Sequence, residues 1–346
     1  MKPPKRLRYV FIGLGLLIVL VVVAGTAIGS VDIPLRKTVM ILLSRLSSFL
    51  TAANWTRIQE IILIEVRLPR VLLACTVGGG LALAGAIMQG IFRNPMADPG
   101  IIGATGGGAL GAVIALYTGW AADRVYTLPA AAFLGAWTCS LLVYRLSTER
   151  GKTSMTMLLL SGIAVGGMAS SLTSLVLSLS LKNAELGRQI VFWLLGGLDF
   201  KGWTHVRIAA VVILPASLVA IAFSRDLNAM LLGEEGAQNV GVDVRNAKRW
   251  LLALASLITG AAVAVCGGVA FVGLIVPHLV RLVLGPDHRS LLPASFLAGA
   301  SFLTAADLLC RTAIPPEELR LGVVTAMLGG PFFLYLLLKK RGEIGC

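Results

Sequence analysis

Long apolar runs recur along almost the whole chain, and they limit what it can fold into more than any other feature. Ten runs are found, near residues 10–28, 68–88, 100–120, 128–146, 155–181, 206–223, 250–268, 269–284, 291–310 and 320–338. Backbone N–H and C=O groups find no water to bond in hydrocarbon, so such segments must be helical. Charged residues make up only 14% of the chain, against about 25% in soluble domains, which excludes a soluble enzyme. The sequence therefore predicts an all-α, polytopic membrane protein with about ten transmembrane helices.

The boundary between the seventh and eighth runs is hidden, because hydropathy is continuous from residue 250 to residue 284. A single helix over this segment would reach about 50 Å at 1.5 Å per residue, too long to cross a bilayer once. We place the break at residues 266–268 (CGG). Ten spans put both termini on one side, and basic residues at both ends predict that this is the cytoplasmic side.

The long loops are too short to be independent domains, so residues 1–346 are expected to form a single membrane domain. The loop of residues 29–66 contains Trp55 and several apolar residues, which suggests a surface helix outside the membrane. The loop of residues 224–249 lies inside and has mixed charge. The first apolar run is longer than the apolar part of a signal peptide and is interpreted as a retained span.

The net charge of +13 is explained by membrane topology and by contact with anionic lipid. No basic stretch is interleaved with aromatic residues, so no nucleic-acid partner is predicted. The five cysteines form no CxxC pair, and no His, Asp and Glu cluster has metal-ligand spacing, so neither a disulfide framework nor a metal site is predicted. His278 is expected to be a packed histidine, and His205 and His288 are expected to be loop residues.

The chain also lacks the groups that an enzyme would need. No catalytic Ser/His/Asp set is found and no GxxxxGK[ST] phosphate loop occurs. We therefore expect no catalytic residues and no cofactor bound by this chain. If the protein uses ATP, another chain must bind it.

Two arginines mark the outer end of the second span, in the motif RLPR at 67–70. Pro69 suits the first turn of a helix, and Arg67 and Arg70 then share one face. They could anchor the helix at the interface by snorkelling, or they could bind carboxylates of an external partner in bidentate pairs. Arg311, at the outer end of the ninth span, could join them. Asp307 stands four residues before Arg311, which predicts a local ion pair.

Two further segments interrupt the apolar pattern. In residues 92–100 two prolines four apart break helix continuity, which indicates either a plain connector or a gate beside a cavity. In residues 225–241, Leu231, Leu232 and Val240 are apolar in a polar loop. Short helices joined at Gly233 or Gly236 could present these side chains to a cytoplasmic partner; alternatively, the loop folds back on its own membrane domain.

A pattern of six residues recurs later in the chain at a constant spacing. Gly79, Gly80, Ala82, Gly85, Ile87 and Arg93 recur as Gly267, Gly268, Ala270, Gly273, Ile275 and Arg281. This pattern is consistent with an ancestral repeat, which is common in transporters. Because most of these residues are small, close contact between helices explains it as well.

The motifs stand in the order found in one family. They are RLPR at 67–70, GAIMQ at 85–89, NPMADPG at 94–100, GEE at 233–235, FVGLIVPH at 271–278 and LGVVT at 321–325. From about residue 10 to 341 the chain resembles the FecCD-type permeases of ABC importers for iron-siderophores, haem and vitamin B12. The resemblance implies the ten-helix type II importer permease fold and a homodimer with the path between subunits. It also implies two cytoplasmic ATPase subunits, which bind ATP and Mg²⁺, and one periplasmic binding protein.

The resemblance also assigns roles to residues. Docking of the binding protein falls on Arg67, Arg70 and Arg311, which would pair with its glutamates. Coupling to the ATPase falls on the loop of residues 226–241, and the residues concerned are Leu231, Leu232, Gly233, Glu234, Glu235, Ala237 and Gly241. The gate falls on Asn94, Met96, Ser154 and Thr156.

The sequence thus predicts a permease subunit of an ATP-driven importer in a bacterial inner membrane. It would move an iron chelate, either a siderophore or haem, or cobalamin from periplasm to cytoplasm by alternating access. Two alternatives remain open at this point. One is a vitamin B12-specific importer of the same family, and the other is an ion-coupled secondary transporter, which would need paired ionisable residues at mid-membrane.

Overall fold

The computed structural model describes residues 5–29, 31, 33–44, 55–149, 152–314 and 316–344. Within these residues each of the ten apolar runs coincides with a helix. The ten helices are α1 (Lys5–Ala27), α4 (Leu68–Phe92), α5 (Ala104–Tyr117), α7 (Thr127–Ser147), α8 (Met155–Ser180), α10 (Trp203–Ala222), α13 (Val244–Cys266), α14 (Val272–Leu284), α15 (His288–Thr312) and α16 (Leu321–Ile344). In this described part, seven helices are long and apolar enough to cross a membrane, and α5, α14 and α16 offer shorter apolar stretches.

Shorter elements connect these helices. They are α2 (Leu35–Ser44), α3 (Arg57–Ile61), a π-helical turn (Ile62–Arg67), a 3₁₀ turn (Pro99–Ile102), α6 (Trp120–Asp123), α9 (Ala184–Leu194), α11 (Ser224–Met230) and α12 (Glu234–Asn239). The strands β1 (Thr148–Glu149) and β2 (Lys152–Thr153) form a small antiparallel hairpin before α8.

The break between α13 and α14 lies where the sequence predicts it. Helix α13 ends at Cys266, and Gly267 takes a positive φ of 71°. A Cβ atom on Gly267 would lie 2.2 Å from the Trp193 carbonyl oxygen, so both the backbone angle and the close approach require glycine. Phe271 also has a positive φ, of 66°, and α14 begins at the next residue.

Helix α4 runs through the centre of the bundle and is buried along nearly its whole length. Its glycines allow neighbouring backbones to approach closely, as a Cβ on Gly85 would lie 1.8 Å from the Gly273 carbonyl oxygen. Gln89 Nε2 donates to the same carbonyl at 3.3 Å and to that of Leu274 at 3.1 Å. Without a hydrophobic force between helices in lipid, close packing and such hydrogen bonds hold the bundle together. Gly85 and Gly273 are matched positions of the recurring sequence pattern. Their close contact explains why both positions are glycine, without an ancestral repeat.

The helix that contains α4 begins earlier than hydropathy predicts. It continues from Arg57 to Phe92 through the π-helical turn. Its start is a capping box, in which Thr56 Oγ1 accepts from the Gln59 N–H at 3.3 Å and Gln59 Oε1 accepts from the Thr56 N–H at 3.2 Å. The charged residues after Gln59 hide this start from a hydropathy scan. Pro69 occupies the first turn of α4, where its missing N–H is tolerated.

The outer loop of residues 29–66 contains the expected helix, α2. Ile41 on α2 packs with Ile33 and Leu63, and Trp55 lies against this small cluster. Residues 45–54 lie outside the described residues.

Two of the histidine predictions are wrong. His205 lies in the first turn of α10 and His288 is the first residue of α15, where it is buried. Asp287 caps α15 by accepting from the Arg289 N–H at 3.0 Å, and this cap turns a polar loop sequence into a helix start. His278 is a packed residue, as predicted, with its ring edge-on to Phe332 at 6.1 Å.

Candidate functional site

A largely buried group of charges joins the first turn of α4 to the last turns of α15, at the end of the bundle opposite α11 and α12. We call this the outer end, after the topology that the sequence predicts. Asp307 is fully buried. Its carboxylate accepts from Arg70 Nε at 3.0 Å, and it forms ion pairs with Arg70 Nη2 at 2.9 Å and Arg311 Nε at 3.1 Å. The predicted pair of Asp307 with Arg311 is therefore confirmed, but the stronger partner, Arg70, stands 237 residues away.

Three residues of the outer loops complete this group. Glu318 Oε2 accepts from Arg70 Nη1 at 2.8 Å, and Asp199 Oδ1 lies 3.4 Å from Arg70 Nη2. Arg320 pairs with the other oxygen of Asp199. We call the six residues the outer cluster; they are Arg70, Asp199, Asp307, Arg311, Glu318 and Arg320. Its three positive and three negative side chains balance, which a buried ionic group needs in order to offset its desolvation.

Asp199 has an unusual proton affinity within the outer cluster. Burial, together with a hydrogen bond to Glu318, raises the pKa of Asp199 to about 6, although Arg70 and Arg320 act in the opposite direction. Two neighbouring carboxylates repel each other when both are ionised, so one of them retains a proton more readily.

Arg67 and Arg311 also hold the end of α1. Arg67 Nη1 donates to the carbonyls of Thr26 at 3.2 Å and Ala27 at 2.6 Å, and Arg311 Nη2 donates to that of Gly25 at 3.1 Å. The last carbonyls of a helix have no partner within it, and cationic donors are favoured there. The three arginines predicted to dock a partner are thus brought together at one end of the molecule, and all are engaged within the chain. Neither of the two roles predicted for these arginines, snorkelling at the interface and docking of a partner, includes these contacts within the chain.

The predicted coupling segment forms two short helices joined at Gly233, as the sequence suggests. Gly233 has φ 98° and ψ 168°, a conformation almost confined to glycine. Leu232 and Val240 are 69% and 63% exposed. Leu231 is also exposed, whereas Ala237 is fully buried. The segment therefore presents apolar side chains outward from a backbone that is anchored through its buried side.

Polar contacts fix this segment to the bundle. Glu234 Oε1 accepts from Lys248 Nζ on α13 at 2.5 Å. Asn228 donates through Nδ2 to Asp287 at 2.6 Å and accepts from the His288 N–H at 2.8 Å. A displacement of α11 and α12 would therefore be passed to α13 and α15. Glu235 is exposed, and Gly241 has a positive φ of 87°.

The predicted gate residues lie in local turns. Asn94 Oδ1 accepts from the Met96 N–H at 3.0 Å, and Ser154 caps α8 by accepting from the Met157 N–H at 3.4 Å. Thr156 is exposed in the first turn of α8. A cavity of about 570 Å³ lies nearby between the 3₁₀ turn, α8 and residues 268–270. Glycines of α8 line it, and none of the four predicted residues does.

Comparison with known proteins decides the family. The model of the FecCD transport family matches residues 16–339. The chain belongs to this family. It is 46% identical over 283 residues to the cobalamin import system permease protein BtuC of Halobacterium salinarum, covering 82% of this chain and 74% of that protein. It is 40% identical to the hemin transport system permease protein HmuU of Yersinia pestis, covering 81% and 84% of the two chains.

A third relative and a solved structure agree. The Fe(3+) dicitrate transport system permease protein FecD of Escherichia coli K12 is 40% identical, with 81% of this chain and 86% of that protein covered. A chain described as a metal-chelate type ABC transporter in an inward-facing conformation has a TM-score of 0.83 and 33% identity, covering 96% and 99% of the two chains.

The FecCD membership has direct consequences. The chain is a multi-pass membrane protein with an all-α ABC permease fold, and as a transport permease subunit it is not itself catalytic. The alternative of an ion-coupled secondary transporter loses support, because the matched relatives are permeases of import systems and the matched structure is that of an ABC transporter. Asp307, an ionisable residue within a span, is neutralised by two arginines rather than poised to carry an ion.

Sequence reasoning missed Asp199, Glu318 and Arg320. The available signal was that two loops, residues 195–202 and 313–320, carry charges next to span ends, where buried arginines need counter-charges. No local spacing links these residues to Arg70, so hydropathy and motifs could not assign the pairs.

Proposed function

We propose that this chain is the permease subunit of an ATP-driven importer that moves a metal chelate inward by alternating access. The observation that carries the proposal is the pair α11 and α12, whose exposed Leu231, Leu232 and Val240 stand on a backbone fixed to α13 and α15. Such a surface suits a partner that drives motion by pushing on it. The chelate is an iron-siderophore or haem; the relatives named for hemin and iron dicitrate support this choice.

A cobalamin-specific importer is the second candidate. It is favoured by the 46% identity to a permease named for cobalamin import.

The assembly follows from this role. We propose a homodimer of single-domain permeases (residues 1–346), two cytoplasmic ABC ATPase subunits that bind ATP and Mg²⁺, and one periplasmic binding protein. The membrane would be a bacterial inner membrane with both chain termini in the cytoplasm, on the side of α11 and α12. Asn94, Met96, Ser154 and Thr156 would act at the inner gate.

Docking of the binding protein is proposed for the end that carries Arg67, Arg70 and Arg311. Because these guanidinium groups are buried in internal contacts, a glutamate of the partner would have to compete with Asp307 and Glu318. Glu318 is the most accessible partner, with 41% of its side chain exposed. Photo-crosslinking tests this placement: a probe at the exposed Thr312 should capture the binding protein, whereas the same probe at Asn239 should not. Capture from Asn239 alone would contradict the docking proposal.

Co-purification tests the assembly. The tagged protein is extracted from native membranes in mild detergent, and the proteins that accompany it are identified by mass spectrometry. We expect a stoichiometric P-loop ATPase. A permease that purifies alone, under conditions that keep other ABC complexes intact, would contradict the proposal.

Coupling is tested in the reconstituted complex. Leu232→Ser should lower ATP-driven uptake several-fold without changing thermal stability, since Leu232 is exposed in the isolated chain. Gln238→Ser, at an exposed polar position on α12, is the matched control and should leave uptake unchanged. Equal uptake by both variants would contradict the role of the apolar surface.

A further inference from the structure

Two cavities flank residues 199–201 at the outer end of the bundle. Their volumes are about 610 and 640 Å³, and four residues line both: Asp199, Phe200, Lys201 and Arg320. Helix α10 starts just after this segment and ends just before α11, so about 30 Å at 1.5 Å per residue separates the cavities from the coupling helices. The cavities therefore lie on the side from which an importer receives its substrate.

The charges around the larger cavity leave one cation unmatched. Arg188 pairs with Glu185 at 2.6 Å, and Arg320 pairs with Asp199. The Lys201 ammonium forms no hydrogen bond or ion pair with the described residues. Burial lowers the pKa of Lys201, and the nearby Asp199 only partly opposes this effect. A bound anion would relieve this penalty, because a buried charge needs a counter-charge.

The smaller cavity is different, because it also contains an acidic side chain without an ion pair. Glu65 is exposed at its wall and pairs with no described residue. The charge of Lys201 is therefore opposed on that side, and the larger cavity is the better place for an anion.

Aromatic groups line the larger cavity beside its cations. Arg320 Cζ lies 3.9 Å from the centroid of the Phe192 ring, and Arg188 Cζ lies 5.9 Å from it. Trp193 Nε1 is buried and has no hydrogen-bond partner among the described residues. It is an unused donor in a side chain of the cavity wall, and an acceptor oxygen would satisfy it.

Phe200 lines the larger cavity in an unusual conformation. Its φ is 57° and its side chain is fully exposed. A bulky residue in the left-handed region is strained, and such strain gathers at functional sites. The wall thus combines a flat apolar ring, paired guanidinium groups, one unpaired ammonium and one free N–H donor.

We propose that the larger cavity receives an anionic chelate that bears carboxylates, and that Lys201 selects it over neutral chelates. The proposal rests on the function proposed above and names the substrate class. A carboxylate would bind the Lys201 ammonium, and flat conjugated parts of the ligand would lie against Phe192 and Phe200. A neutral corrinoid gains nothing from the unpaired cation.

Chemical protection tests binding without transport. The purified full-length permease is acetylated with a water-soluble amine reagent, and modification of Lys201 is measured by peptide mass spectrometry. Ferric dicitrate and haem should each slow modification of Lys201 five-fold or more, while cyanocobalamin should not. Modification of Lys182, an exposed lysine just before α9, is the control and should not change. Protection by cyanocobalamin alone, or by none of the three probes, would overturn the proposal.

Lipid provides the competing source of an anion. The same assay in nanodiscs of phosphatidylcholine, with and without phosphatidylglycerol, separates the two. If phosphatidylglycerol alone protects Lys201, the occupant is a lipid and the proposal is wrong.

Transport then tests selection. In proteoliposomes that contain the complete transporter, Lys201→Met should reduce uptake of the anionic probe at least ten-fold, and Lys201→Arg should retain most of it. Anionic uptake that is unchanged in Lys201→Met would overturn the role of Lys201. A preparation without an ATPase partner and without uptake would instead reject the importer function, and the protection result would still report on the cavity.

Discussion

The two ends of this bundle are built in opposite ways. At the outer end, six charged side chains are paired with one another, and all of them except Glu318 are largely buried. At the inner end, α11 and α12 direct apolar side chains outward from a glycine joint. The first arrangement satisfies its groups within the chain, whereas the second leaves a surface that only another molecule can cover. We therefore propose that the outer cluster holds helices in place and that the inner pair transmits force.

The two ends also differ in what stabilises them. Burying an ion costs several kcal/mol, and the cost is offset only when good partners surround it. The outer cluster therefore depends on every member. The inner pair depends on backbone geometry at Gly233 and on a few polar contacts that are partly open to solvent.

The sharpest test of the comparison removes the central carboxylate of the outer cluster. Asp307→Ala leaves Arg70 and Arg311 without their shared partner, and loss of one partner of a buried pair costs about 3–5 kcal/mol. Thermal unfolding in detergent should show the loss. Glu235→Ala at the inner end, where the side chain is exposed, should change stability by no more than about 0.5 kcal/mol. Similar effects of the two variants would remove the distinction between the ends.

A smaller effect is expected at the glycine joint. Gly233→Ala places a Cβ on a backbone with φ 98°, which costs about 1–3 kcal/mol and should be concentrated in α11 and α12. Hydrogen exchange should show faster exchange in these two helices alone. Gly202→Ala serves as the control, because Gly202 has φ −114° and open space around it. If amide hydrogen exchange in α11 and α12 is unchanged in Gly233→Ala, this position does not require glycine.

The stability of the outer end should depend on pH through Asp199. Because the pKa of Asp199 is raised to about 6 in the folded protein, the folded state binds a proton there that the unfolded chain has already lost. Its contribution to stability is full below the ordinary aspartate pKa and is lost as pH rises through about 6. Thermal unfolding of the wild type between pH 4 and pH 7 should show this loss, and Asp199→Asn should weaken the trend. An identical pH profile for the two proteins would count against the raised pKa.

The smallest effect is expected for the ion pair of the inner end. Glu234→Gln removes the charge partner of Lys248 but keeps an oxygen that can accept its hydrogen bond. Because 57% of the Glu234 side chain is exposed, although only 7% of the Lys248 side chain is, the loss should stay at about 1 kcal/mol. It should decrease as salt is raised. A loss as large as that of Asp307→Ala would mean that the inner end also relies on buried charge.

Much of the fold could be predicted from the chain alone. Hydropathy located ten apolar helices of the described chain and the break after Cys266, because lipid forces each apolar run into a helix and bilayer thickness limits its length. The segment of residues 225–241 indicated two short helices joined at Gly233 or Gly236, because glycine readily adopts the positive φ that ends a helix. The starts of α3 and α15 were missed, because capping residues and charges mask the beginning of those helices.

For the candidate site, too, some features follow from the sequence and others only from the tertiary structure. The sequence by itself determined which segments cross the membrane, which loops lie at each end, and the family of the chain. Only the tertiary structure decided that Arg70 belongs to Asp307, Glu318 and Asp199, that Arg67 binds the end of α1, and that Lys201 is left without a partner. The reason is physical: hydropathy and helix periodicity are local, whereas the pairing of buried charges depends on which helix ends the packing of small residues brings together.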